Sequence, residues 1–212
     1  MTKSTEGSSN SKTALLEAAK AVMEEEGYAA VTSRRIATKA GLKAQLVHYY
    51  FASMDDLLLE LFRGLAKEMI ELQGRAIQAD RPLRELWNVL TDRRRRIVLE
   101  QFLIMSAYNP ALQEEMGRFG QIFRDEQIHF MAVLVRENGL HQLRWTPEFL
   151  AIVFNALARA IAVEPSYGLK LGNSEALEVV NYYLDLLDRA VPDAQTTIKR
   201  LERENAALQA RI

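Results

Sequence analysis

Residues 32–53 read TSRRIATKAGLKAQLVHYYFAS. Thr32 or Ser33 offers a side-chain oxygen to the unpaired amides at the start of a short helix reaching about Ala40. Gly41 followed by Leu42 then makes a tight turn into another short helix over residues 44–50. Two short helices around a glycine turn outline a helix-turn-helix. Between Thr32 and Phe51 stand Arg34, Arg35, Lys39 and Lys43 with no acid among them, in a chain whose formal net charge is −1. The positive charge is therefore local rather than general, which is what a small surface meeting phosphate requires.

Outward from this stretch the apolar residues recur at three and four rather than at two, and only 10 Gly and 5 Pro interrupt them, so the chain reads as all-α. Upstream, Ala14, Leu15, Ala18, Ala19 and Val22 form the stripe of a first helix over residues 12–26, stopped by Gly27. The acids Glu24, Glu25 and Glu26 at its carboxy end oppose the helix dipole, a conflict the sequence does not resolve. Residues 1–11 are polar with no apolar core and read as a disordered tail.

Downstream, Ser53 with Asp55 and Asp56 opens a long fourth helix toward Ala79. Pro82 starts a helix through Asp92, which continues or breaks into another through Tyr108. Asn109-Pro110 begins a helix of about six turns ending at Asn138-Gly139. Thr146-Pro147 begins one over 147–163, and Ser174 one that stops before Pro192. In residues 192–212, Ile198, Leu201, Asn205, Leu208 and Ile212 alternate spacings of three and four. Either a terminal amphipathic helix or a short coiled coil between protomers fits that pattern. The expected domains are thus a tail (1–11), a helix-turn-helix unit (12–53), a helical bundle (54–191) and a carboxy-terminal amphipathic helix (192–212).

The candidate nucleic-acid contacts follow from the geometry of a helix laid in a major groove. Thr32 and Ser33 at a helix start, with Arg34 or Arg35, suit phosphate oxygens. Lys43, Ala44 and Gln45 lead the next helix, and His48, Tyr49 and Tyr50 lie one turn on, where side chains reach base edges. Leu42, Val47 and Phe51 read instead as the core of the three-helix unit. Arg34 and Arg35 point about 100° apart, so only one of them need face phosphate.

Here the chain resembles the tetracycline-repressor (TetR) family. The run from Thr32 to Leu42 is similar to that family's second helix and turn, and Val47-His48-Tyr49-Tyr50-Phe51-Ala52-Ser53 to the aromatic stretch that ends its recognition helix. The resemblance is strong over residues 12–60, and Asn109-Pro110-Ala111-Leu112 resembles a signal in the family's regulatory half. Lys43 stands where the family commonly has a Ser or Thr cap, Met54 where a Lys often contacts phosphate, and His48 where Tyr is more usual. The resemblance implies a transcriptional regulator, expected as a repressor, with a homodimer on a palindromic operator and a carboxy-terminal half that encloses a small effector. The polar residues 1–11 and the want of a membrane-length apolar run lead us to expect it in the cytoplasm.

For that half, Trp87, Phe102, Met105, Tyr108, Met116, Phe119, Phe123 and Phe154 gather large apolar side chains, with Gln127 and Asn155 as polar handles. Such a lining favours a hydrophobic or aromatic effector over a sugar or phosphate. Plain core packing is the alternative for each member. Ala151, Ala156, Ala158, Ala160 and Ala162, with Leu177, Val180, Leu184 and Leu187, suggest that the last two bundle helices join protomers. The fourth helix is the natural lever between the halves.

Other classes find little support. No cysteine is present, which removes disulfides, thiolate metal sites and a cysteine nucleophile. His48, His129 and His141 are the only histidines and form no metal or catalytic motif, and no phosphate loop or nucleophile elbow occurs. No catalytic residue, metal or cofactor is expected. The longest apolar stretch, residues 149–163, is interrupted by Asn155 and Arg159, so no membrane span is expected. Repressor and activator are not separable by sequence.

Overall fold

The computed structural model describes residues 3–138 and 140–189, with side chains from Asn10 onward except at 141 and 143. Among these residues the chain is helical without strands: α1 (Lys3–Glu26), α2 (Ser33–Ala40), α3 (Gln45–Tyr50), α4 (Met54–Ile77), α5 (Pro82–Thr91), α6 (Arg93–Ser106), α7 (Pro110–Glu137), α8 (Pro147–Val163) and α9 (Asn173–Arg189), with short 3-10 turns at Tyr28–Ala30, Leu140–Leu143 and Glu164–Tyr167. The expected amphipathic helix over 192–212, with Asn205 in its seam, lies outside the described residues.

The starts and stops follow local chemistry. Thr32 Oγ1 accepts from Arg35 N at 3.2 Å and Gly41 closes α2 at φ 66°. Ser53 Oγ accepts from Asp56 N at 3.0 Å ahead of α4, Asn109 Oδ1 from Leu112 N at 3.0 Å on α7, and Thr146 Oγ1 from Phe149 N at 3.2 Å on α8. Each cap satisfies an amide that the helix itself leaves unpaired. The run after Pro82 does break: Asp92 adopts ψ 107°, and its Oδ1 accepts from Arg95 N to begin α6. One start differs. The stripe predicts Lys12, and residues 1–11 read as a tail, yet α1 already runs from Lys3, because extending a helix whose turns from Leu15 on are anchored needs one hydrogen bond per added residue.

The described residues fall into two compact units, divided at Glu68/Met69, Arg96/Ile97 and Arg118/Phe119. In the first, α1 packs on α2 and α3, and α2 on α3. Val22, Met23, Ile36, Val47 and Phe51 are buried there. The early turns of α4 belong to this unit rather than to the bundle, since Phe62 stacks on Phe102 with centroids 5.4 Å apart and both rings are fully buried. Loss of either ring would cost about 3–5 kcal/mol. This is why the division falls inside α4 and not at Ser53.

In the second unit α5 packs on α8 and α9 around Leu86, Trp87, Leu90, Phe130, Leu134 and Leu184. Asp188, on the last turn of α9, caps a helix far away in sequence. Its carboxylate accepts from Leu83 N at 2.8 Å and Arg84 N at 3.1 Å, while Arg84 and Arg81 both pair with Asp185. Burial pushes the Asp188 carboxyl above its ordinary range, against the lowering effect of those two amides.

Two expectations about α8 and α9 change. Ala151, Ala158, Ala162, Val180 and Leu184 are buried within the protomer, and Leu177 and Leu187 pack on its core, so these members of the expected seam do not face outward, whereas Ala156 is exposed and Ala160 half-buried. The exposed apolar rows are Phe149, Ile152 and Val153 on α8 and Val179, Tyr182, Tyr183 and Leu186 on α9, each at helical spacing along one face. Second, the helical segment is longer than residues 149–163: Pro147–Tyr167, with mean hydropathy 1.4, is long and apolar enough to cross a membrane by length and composition. Pro147 and Glu148 at its start and the 3-10 turn after Val163 supply the added length.

Candidate nucleic-acid interface

The short helix α3 is held by its inner side. Val47 and Phe51 are buried, and Lys12 lies over the Phe51 ring with Nζ 5.5 Å from the centroid while pairing with Glu60 at 2.7 Å. With that side fixed, Gln45, His48 and Tyr49, spaced three and four apart, form one exposed face. Tyr49 is 74% exposed and meets the half-buried Tyr50 edge to face at 4.9 Å. Such a stack orients an exposed phenol without burying it. Ala44, half-buried, precedes the helix, and its small side chain leaves α3 free to approach a surface closely. Leu42, expected as core, is half-buried.

The four cations of the stretch do not behave alike. Arg35 grips Glu26 with two nitrogens, Nε at 2.9 and 3.0 Å and Nη2 at 2.6 Å. Lys39 Nζ sits 2.8 and 2.6 Å from the two oxygens of Glu25. Arg35 holds the Glu26 carboxyl below its ordinary range and is itself raised by it. Two of the three acids that oppose the α1 dipole, Glu25 and Glu26, thus receive counter-charges from α2, which eases the conflict the sequence leaves open. Arg34 and Lys43 are exposed, and neither has an ion-pair partner among the described residues. Thr32 is occupied as the α2 cap, with Ser33 half-buried beside it.

Gln101 on α6 links this region to a helix of the same unit. Its Oε1 accepts from Tyr28 N at 2.6 Å and its Nε2 donates to Met23 O at 3.4 Å. These bonds fasten the end of α1 where Gly27 turns at φ 83°. Nothing in the spacing of residues 93–106 marks Gln101 for this contact, so sequence reasoning had no signal for it.

The expected effector lining is distributed over both units. In the second, Trp87 and Phe154 meet at 5.4 Å and Phe119 and Phe123 at 5.4 Å, and Gln127 is buried with its Oε1 accepting from Asn155 Nδ2. In the first, Phe102 and Met105 are buried, Met116 is half-buried and Tyr108 is 89% exposed. Gln73 and Glu126 join the second group although the sequence reading passed over them: Gln73 Nε2 donates to Phe123 O at 3.0 Å and to Glu126 Oε2 at 2.9 Å. Their signal was present. Gln73 shares the apolar face of α4 with Met69, Ala76 and Ile77, three and four residues away. Among the described residues, no cluster of His, Asp and Glu could hold a metal ion.

Residues 15–61 match the family model of bacterial regulatory proteins, tetR family. Solved structures share the fold. A putative transcriptional regulator from Saccharomonospora viridis in complex with choline is 21% identical with a TM-score of 0.69, covering 84% of this chain and 96% of that one. A transcriptional regulator from Rhodococcus sp. Rha1 is 19% identical with a TM-score of 0.66, covering 84% and 93%. A TetR transcription regulator from Haloarcula marismortui is 18% identical with a TM-score of 0.64, covering 86% and 98%. No curated protein sequence matches.

Proposed function

We propose, from a chain whose residues 15–61 match the tetR family model, that the protein is a homodimeric transcriptional repressor of that family released from a palindromic operator by a small hydrophobic effector. The observation that carries this reading is the exposed face of α3, where Gln45, His48 and Tyr49 stand clear of a helix anchored by Val47 and Phe51. Arg34 and Lys43 supply charge for phosphates, and the amides at the start of α2 add dipolar attraction beside Thr32 and Ser33. Lys43 offsets the charge that Met54 does not bring.

A dimer is supported by the apolar rows on α8 and α9, which a soluble single protomer would leave in water. Twofold pairing through these helices would set two recognition helices about 34 to 36 Å apart, one turn of duplex. Pro147–Tyr167 is read as a bundle helix rather than a membrane span because Asn155 and Arg159 interrupt its apolar run and Ala151 and Ala158 pack into the second unit's core; its exposed apolar face is the one assigned to the partner protomer. A cytoplasmic site of action follows from DNA as the partner.

The effector is assigned to the aromatic group of the second unit. It acts only through a preference for the state that does not bind DNA, and a coupling of about 1–3 kcal/mol would lower operator affinity roughly 5- to 150-fold. Helices α4, α6 and α7 each continue through both units, and within the first unit Gln101 of α6 holds the end of α1. That contact is where a displacement of α6 would reach the DNA-binding helices. The choline held by the Saccharomonospora viridis regulator supports a small-molecule effector as a class.

The test is selection of bound duplex from a random pool, followed by release with hydrophobic metabolites. A selected site with twofold symmetry is expected, and replacing Lys43 and Tyr49 with Ala should abolish its binding with helicity and dimerisation unchanged. Binding unaffected by those changes would remove the assignment of α3.

A further inference from the structure

Gln73 and Gln127 are both fully buried in the second unit, whose apolar core includes Phe123, Phe130, Trp87 and Met131. Each is half satisfied. Gln73 Nε2 donates to Phe123 O and Glu126 Oε2, leaving Oε1 without a partner among the described residues. Gln127 Oε1 accepts from Asn155 Nδ2, leaving Nε2 without one.

Neither amide relieves itself by turning over. A flipped Gln73 would aim its oxygen at a carbonyl and a carboxylate. A flipped Gln127 would set its NH2 against the NH2 of Asn155, whose direction is fixed by donation to Ala151 O at 2.8 Å. The partners therefore force one bare acceptor and one bare donor into an apolar surround. A core selected for stability alone would use Leu or Met at both places.

We infer that Gln73 and Gln127 form the polar end of the effector site and select a neutral, ring-bearing ligand that carries a hydroxyl or carboxamide. The inference rests on the reading of the second unit as the effector-binding part. A hydroxyl can donate to Gln73 Oε1 or accept from Gln127 Nε2, and a carboxamide carries both functions on two atoms. An anionic ligand group would be desolvated beside neutral amides and repelled by the nearby Glu126 carboxylate, whose charge the neutral Gln73 NH2 does not cancel, and a quaternary ammonium offers neither bare atom a hydrogen bond. The aromatic pairs Trp87–Phe154 and Phe119–Phe123 provide flat apolar walls for a ring, and Phe119 and Phe154 are only partly buried.

Four probes of one ring size test this on the full chain: toluene, benzyl alcohol, benzamide and benzyltrimethylammonium. Side-chain amide resonances of the 15N-labelled protein are followed during titration and assigned with Gln73→Leu and Gln127→Leu. Benzyl alcohol and benzamide are expected to bind about 10-fold more tightly than toluene and to shift both Gln NH2 resonances, and Gln127→Leu should erase that preference. Equal binding of toluene and benzyl alcohol, tighter binding of benzyltrimethylammonium, or probes that leave both amides unshifted would overturn it. If a Leu variant fails to fold, Gln→Glu substitutions serve for assignment and the wild-type titration decides alone. A selected operator with amides blind to the probes sinks the inference and leaves the repressor reading standing. Amides that read the probes in a protein selecting no duplex do the reverse.

Discussion

Arg34 and Arg35 are neighbours of identical chemistry, yet their surroundings give them different tasks, and the difference is measurable in the salt dependence of operator binding. Arg35 is held by Glu26 through three short contacts, whereas Arg34 is exposed and, among the described residues, has no ion-pair partner. With Arg34 and Lys43 as the unpaired cations near α3, a dimer presents about four charges to phosphate. A slope of log affinity against log salt of about −0.9 per neutralised phosphate then gives roughly −3.6 from this set. Arg34→Ala removes two of the four and should flatten the slope by about 1.8. Arg35→Ala should change it by less than about 0.5, because Arg35 must first leave Glu26 to reach a phosphate. The assay is fluorescence anisotropy on the selected operator between about 50 and 300 mM salt, with dimerisation checked for each variant. A pH arm accompanies it. The Glu26 carboxyl lies below its ordinary 4.5, so the stability it confers is present above that value and is lost as pH falls through the lowered one. Glu26→Gln should therefore remove part of the acid limb of the stability profile. Equal flattening by the two arginine variants would refute the division of labour.

Two further outcomes test the second unit. Asp188→Ala leaves the buried amides of Leu83 and Arg84 without their acceptor and should cost about 1–3 kcal/mol in denaturant unfolding; Asp188→Asn, which keeps one acceptor oxygen, should cost less, and equal losses would deny the capping role. Ile152→Glu and Tyr182→Glu place charge on the exposed rows of α8 and α9 and should yield folded monomers by sedimentation equilibrium with weakened operator binding, whereas Ala151→Glu, inside the protomer core, should lower stability itself; dimers that survive both surface changes would place the interface elsewhere.

The parts of the architecture that rest on neighbours in sequence were legible there. Thr32, Ser53, Asn109 and Thr146 each announce a helix start because the oxygen that caps it lies three residues from the amide it receives. Gly41 was legible for the same reason, as a left-handed turn permits few other residues. The exposed side of α3 followed once Val47 and Phe51 were read as anchors. The direction in which α8 and α9 face was not legible: both helices have apolar residues on more than one side, and periodicity alone does not say which side meets the protomer's own core.

Contacts across long separations account for the remainder. Asp188 caps a helix that begins at Pro82, and Gln101 fastens Tyr28; no spacing rule reaches that far. The acid run at Glu24–Glu26 is the instructive case. Taken locally it is an error, three negative charges at the negative end of a helix dipole. Beside α2 it becomes the reason Arg35 and Lys39 are held in place, and so the reason that, of four cations in one short stretch, Arg34 and Lys43 are the ones left to meet a phosphate backbone. A charge count over residues 32–51 therefore overstates the free positive surface about twofold, and only the partner of each side chain, not its type, says which half of that count a nucleic acid would feel.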